Sequence, residues 1–226
     1  MLSPIFAALA LCHLGLFLWS LRLPPSGFPL LFLRCLVLAL AFDNLVVALG
    51  PSLHTSAIYW PMSTLRFWVH AMLLPFLLVF VASVLGLYIR RAQTRSWLFG
   101  TAWILALLAV VYGYLYDLAT LELVAADYYP RLVAADSQPP IATILVNLVV
   151  VVAGGWLWRR ANWPWLFAGA LQIFLVNGAT AGRDWSFIAG NTAELLFVIS
   201  LFATLRAAIQ ARNAALAGER AAFQLS

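Results

Sequence analysis

Seven stretches of about 18–25 predominantly apolar residues follow one another along the chain, separated by short polar or proline-containing turns. In hydrocarbon every backbone N–H and C=O must find its partner within the protein. An unbroken apolar run of that length therefore reads as a membrane-crossing helix. A membrane β-barrel needs short segments of alternating polarity; here the runs are continuous Leu, Val, Ala and Phe. Composition agrees, with 65% hydrophobic and 9% charged residues, where soluble domains carry about 25% charged. The expected fold is all-α, a polytopic membrane protein built as a seven-transmembrane-helix bundle.

The apolar segments fall at residues 2–21, 28–50, 64–89, 97–117, 141–158, 163–180 and 185–205. Residues 51–63 read as a loop, and residues 118–140 as the longest connection, carrying Glu122, Asp127 and Asp136. Pro75 is a candidate kink in the third segment. The first segment lacks a basic leader and a small-residue cleavage site, so it reads as a helix that stays. Arginines set the orientation. Arg22, Arg90, Arg91, Arg95, Arg159, Arg160, Arg206, Arg212 and Arg220 gather on one side, against Arg131 and Arg183 on the other. This places the N-terminus outside and the C-terminus in the cytoplasm. Residues 1–206 form the transmembrane domain and 207–226 a cytoplasmic tail. The expected location is a bacterial inner (plasma) membrane. No internal repeat is read from the sequence, which weighs against an inverted-repeat transporter.

All 13 basic residues are arginine. A chain without lysine has no Schiff-base chemistry. The net charge of +5 lies mostly in loops on one side, so it reports topology and not nucleic-acid binding. Cys12 and Cys35 lie inside apolar segments and form no CxxC site; they read as packing residues. Most tryptophans sit near segment ends, among them Trp19, Trp60, Trp97, Trp156, Trp158, Trp163, Trp165 and Trp185, as in an interfacial aromatic belt. Gly154-Gly155 in the fifth segment permits close helix packing, within the chain or in a homo-oligomer.

Polar residues inside the segments are one-sided. Asp43 and Asn44 on the second segment lie about 10 Å below its outer end by helical rise. Arg66 stands at the mouth of the third segment, and His70 lies on the same face at i+4. Asp117 closes the fourth, Asn147 lies in the outer half of the fifth, Gln172 and Asn177 on the sixth, and Asn191 and Glu194 on the seventh. The inner halves are aliphatic or aromatic except for Arg34, which can reach the inner interface. Intramembrane ionisable groups are costly and mark functional sites. Asn147, Gln172 and Asn177 also suit a plain role as helix-to-helix hydrogen bonds. A lone His on an apolar helix is more often structural. Asp43 and Glu194 carry more weight, because a buried carboxylate must be paired or protonated. Asp43, Asn44, Arg66, His70, Asn147, Gln172, Asn191 and Glu194 are the ligand-binding or acid–base candidates.

The third segment resembles that of the microbial rhodopsins, which carry an R-Y-x-D-W-x-x-x-x-P-L-L pattern. Here the residues are Ile58-Tyr59-Trp60, then Arg66-Phe67-Trp68-Val69-His70, Pro75 and Leu77-Leu78. Helix number and N-out orientation agree with that resemblance. The departures are that Val69 stands at the counterion position and that no lysine follows Asn191-Thr192-Ala193-Glu194. Covalent retinal and a light-driven pump of the usual kind are therefore excluded. The zinc-dependent seven-helix hydrolases (alkaline ceramidases and adiponectin-receptor-like proteins) share the helix number. They need three histidines around zinc, and His13, His54 and His70 show no such spacing; no metal or other cofactor is expected.

Two functions fit best. One is a receptor-like or carrier-like protein whose polar outer pocket binds a small or amphipathic ligand. The alternative is an intramembrane enzyme acting on a lipid or isoprenoid, with Asp43, His70 and Glu194 as acid–base groups. Ion conduction is weakened by the apolar inner half. The other partners expected are the lipid bilayer and further copies of the chain in a homo-oligomer; no nucleic acid is expected.

Overall fold

A computed structural model describes residues 2–89, 91–135 and 140–224, with side chains as far as residue 217. Arg90 and Asp136, and the side chain of Arg220, lie outside the described residues. The chain has the all-α fold of a membrane protein, with one short β-hairpin between its helices. Six helices are long and apolar enough to cross a membrane among the described residues, and a shorter apolar helix, Trp165–Thr180, makes a seventh. Seven expected segments thus correspond to seven rods.

The elements are α1 (Ser3–Ser20), α2 (Phe28–Leu53), α3 (Tyr59–Leu73), α4 (Leu77–Gly86), α5 (Ala92–Gly113), β1 (Leu123–Ala125), β2 (Leu132–Ala134), α6 (Ile141–Ala161), α7 (Trp165–Thr180) and α8 (Ser186–Gln224). The third rod is α3 and α4 joined through a 3-10 turn, Leu74–Phe76, around Pro75. Proline supplies no N–H there, so the helix tightens locally. The fourth rod ends in a π-helical turn, Tyr114–Leu118.

Several helix ends differ from expectation by a few residues, α8 runs on past Leu205 to Gln224, and three regions need a physical account. Residues 51–63 are mostly helical: α2 runs through Pro51 to Leu53, and α3 begins at Tyr59. Pro51 cannot donate to the Val47 carbonyl. The Tyr129 hydroxyl donates to it instead, at 3.1 Å, so the helix continues where proline usually ends one. The fourth rod starts at Ala92, because Gln93, Thr94 and Arg95 are good enough helix formers to extend it into polar surroundings. The 118–140 connection contains an antiparallel hairpin with Leu123 opposite Ala134, Val124 opposite Val133 and Ala125 opposite Leu132. Leu-Val-Ala-Ala-Asp occurs at both 123–127 and 132–136; this short repeat is the signal the sequence reading passed over.

The main core lies between α2, α4, α6, α7 and α8, with Leu33, Val37, Phe80, Val150, Leu166 and Leu201 almost fully buried. Leu11, Leu18, Ile104, Leu108, Leu145 and Val152 point outward, as expected for a bundle solvated by lipid. Cys12 and Cys35 also point outward. They are not packing residues, because the turn of each helix carries them away from its neighbours. Arg34 donates from Nη2 to the Ser20 carbonyl at 2.8 Å; its cation meets the carbonyl end of α1, a favourable place for positive charge.

Gly154 lets α6 approach α7. A Cβ there would stand 2.6 Å from the Phe167 backbone nitrogen and 2.7 Å from its Cα. Backbone cannot step aside as a side-chain tip can, so Gly154→Leu is expected to destabilise the bundle by at least about 1–3 kcal/mol. Reversible unfolding in mixed micelles checks this; an unchanged midpoint would show that the two helices do not meet there.

Candidate functional site

The hairpin stands at the end of the bundle that holds the start of α1, the end of α2, the start of α3 and the start of α8. Counted from that end, His13 is about 15 Å deep by helical rise, Asp43 about 15 Å and Glu194 about 12 Å. Arg66 is two turns inside α3 and only 14% exposed, because α3 starts at Tyr59. It is not a residue of the helix mouth. The polar layer therefore sits closer to the middle of the bundle than the shorter expected helices implied.

Four helices meet in this layer. Arg66 Nε donates to Asp43 Oδ1 at 2.7 Å. His70 Nδ1 stands 3.9 Å from the same oxygen, beyond a good hydrogen bond but well within Coulomb range. His70 Nε2 faces Glu194 Oε1 at 3.4 Å. Asn191 Nδ2 lies 3.1 Å from both Asp43 Oδ2 and Asn44 Oδ1, and Asn44 Nδ2 donates to the Leu40 carbonyl at 2.8 Å. The i, i+4 spacing of Arg66 and His70 aims both at α2. The i, i+3 spacing of Asn191 and Glu194 lets one helix serve both ends of the chain of contacts.

Burial makes these contacts consequential. Asp43 is 4% exposed and Asn44 fully buried. Removing a carboxylate from water costs several kcal/mol, which the guanidinium and the Asn191 amide offset. With a proton on His70, two carboxylates face two cations and the cluster is neutral. His70 and Glu194 differ from Asp43 in leaving 29% and 22% of their side chains exposed, so the packed helices do not seal this edge of the cluster.

His13 is a member that sequence reasoning set aside. It is fully buried, its Nδ1 lies 2.8 Å from the Leu9 carbonyl, and its imidazole is within electrostatic reach of Glu194 and Asp43. Its depth matches theirs, a signal available from the sequence by counting helical rise from the shared end.

Asn147 and Gln172 are not brought in. Asn147 Nδ2 donates to the Ala170 carbonyl at 3.2 Å, tying α6 to α7, and Gln172 makes no hydrogen bond to the cluster. Three side-chain atoms in the layer are buried without a hydrogen-bond partner: Arg66 Nη1, Glu194 Oε2 and His13 Nε2. Among the described residues no group of three or more His, Cys, Asp or Glu is arranged to hold a metal ion.

The hairpin turn closes the layer from its end of the bundle. Tyr129, 5% exposed, packs on Phe6 and Phe187, and its hydroxyl meets Ser3 Oγ at 2.8 Å. The Pro130 carbonyl sits directly on Gly50, where a Cβ has no room. Two open volumes lie away from the cluster. An apolar cleft of about 290 Å³ lies between Leu78, Leu105, Tyr112, Leu145 and Val149, and a second of about 620 Å³ by Trp19, Trp163 and Arg206. Comparison with known protein families, with curated proteins and with solved structures finds no match for this chain.

Proposed function

We propose that the chain is a receptor-like or carrier-like membrane protein. In this reading the Arg66–Asp43–His70–Glu194 cluster binds a small or amphipathic ligand, with the hairpin end facing outward and the arginine-rich end in the cytoplasm of a bacterial inner membrane. The observation that carries this reading is the unmet hydrogen-bonding capacity at both ends of a connected chain. Arg66 Nη1 is a free donor at one end and Glu194 Oε2 a free acceptor at the other. Leaving such groups buried and unmatched costs about 1–3 kcal/mol each, more when charged. A ligand with one acceptor and one donor relieves both. The resemblance to the microbial rhodopsins belongs to the same proposal, as a seven-helix relative without the Schiff base.

A second reading is favoured by the His70–Glu194 contact, which sets an acid and a base side by side at a partly exposed edge. It makes the same cluster the centre of an enzyme acting on a lipid or isoprenoid. Both are tested together. Purified protein is extracted and its small molecules identified by mass spectrometry, for the wild type and for His70→Ala, Glu194→Gln and Asn147→Ala. Binding predicts a molecule retained by the wild type and Asn147→Ala and lost from the other two. Turnover of added lipid, lost in the same two variants, selects the enzyme. If folded wild type and cluster variants yield the same extract and no turnover, water satisfies these groups and the ligand reading fails.

A further inference from the structure

Arg131, in the hairpin turn, is the cation the cluster does not use. Its guanidinium lies over the Phe187 ring at 3.7 Å, which supplies a cation–π contact but no acceptor for its in-plane N–H groups. Nη1 of Arg131 is buried and unpartnered, as is Nη1 of Arg66. The two arginines lie within electrostatic reach of each other. The Tyr59 hydroxyl and the Pro130 carbonyl both press on Gly50, which sets Arg131 beside the start of α3. Tyr59, Ser63 and Arg66 follow one face of that helix at i, i+4 and i+7, with Ser63 fully buried. Burial, and next the nearby Arg66 cation, pull Arg131 below its ordinary value, and Asp184 opposes this only in part. Asp184 forms no ion pair with Arg131 among the described residues.

Asp43 already faces Arg66, so Arg131 is the cation without a counter-charge, and an anion that takes the unused donor of both guanidinium groups would supply one. Guanidinium groups offer planar forks suited to carboxylate and phosphate oxygens. We propose that the ligand is an amphipathic molecule with an oxyanion head group, carboxylate or phosphate, clasped between Arg66 and Arg131 under the hairpin. This rests on the cluster being a ligand site, and it adds the chemical class of the ligand. The Arg66 donor lies about 10 Å inside α3 by helical rise, a depth that a head group drawn in at the bundle end can reach.

The test uses the full chain in neutral detergent. Thermal unfolding is followed while adding phosphatidylcholine alone, phosphatidylcholine with phosphatidic acid, inorganic phosphate or acetate. The expected result is a rise in Tm with phosphatidic acid and none with phosphatidylcholine alone. Arg131→Gln is expected to need about tenfold more phosphatidic acid for half the effect, one charge-assisted hydrogen bond's worth. Arg131→Lys, which keeps the charge but not the fork, should fall between, and Arg183→Gln, on an exposed arginine at the same end, should respond as wild type. Limited proteolysis of the hairpin confirms that Arg131→Gln is folded. An equal response to inorganic phosphate supports the site and makes a free oxyanion its source. An Arg131→Gln protein that responds as wild type overturns the proposal. If His70→Ala and Glu194→Gln then still lose their bound molecule, only the oxyanion assignment has failed. If Arg131→Gln loses the response while those two keep the molecule, the Arg66–Arg131 clasp stands and the assignment of His70 and Glu194 to the ligand falls.

Discussion

Arg66→Ala is expected to destabilise the bundle by about 3–5 kcal/mol, because it leaves the Asp43 carboxylate buried without its cation. The size comes from the survivor and not from the lost contact. Asp43 is 4% exposed, so water cannot replace Arg66. His70 is 3.9 Å away, too far to take over its hydrogen bond. The same logic gives a rescue. Replacing both partners with apolar residues, as in Asp43→Leu with Arg66→Met, removes the charge that caused the penalty and should recover most of the stability. Unfolding midpoints of the two single variants and the double variant check this. A double variant as unstable as the sum of the singles would mean that the two residues do not interact.

Tyr129→Ala is expected to be of similar size, about 3–5 kcal/mol, and more local. The ring fills the space between Phe6 and Phe187, and the hydroxyl supplies the hydrogen bond that Pro51 denies to Val47. Without it the hairpin is left with the Arg131 and Tyr128 contacts with Phe187 and with Pro130 resting on Gly50. Tyr129→Phe should keep the ring packing and lose about 1 kcal/mol with the hydrogen bond. Hydrogen exchange reads both effects. Amides of 123–134 and the last turn of α2 should exchange faster in Tyr129→Ala, while those of α6 and α7 stay protected. Uniformly faster exchange would show that the hairpin is not a separate latch.

The helix count was legible because each apolar run meets the length a membrane demands, and nothing else competes for such runs. Helix ends were harder. Pro51 looked like a terminus because its missing N–H is local, while the Tyr129 hydroxyl that compensates comes from 78 positions further along. The hairpin was hidden by its shortness: three-residue strands give too little alternation to stand out. Within the site, Asp43, Arg66, His70 and Glu194 were singled out as ionisable groups inside apolar segments and Asn44 and Asn191 by their depth beside them, and the structure brings those six together. Asn147 and Gln172 were chosen by depth alone. Depth does not say which way a helix turns its side chain, and Asn147 turns to the α6–α7 seam. His13 was passed over for the converse reason. Its matching depth could be counted from the sequence, but nothing along an apolar helix shows which neighbour a single histidine faces until that helix is in place.

The most direct test of the account is the nitrogen NMR spectrum of His70 in protein labelled only at its three histidines, assigned through His70→Gln. If the cluster is one connected site, the His70 ring signals shift in Glu194→Gln and in Asp43→Asn, shift again when the retained molecule is stripped away, and do not move in Asn147→Ala. Ring signals at the position of a freely hydrated histidine, unmoved by either carboxylate substitution or by stripping, would contradict it.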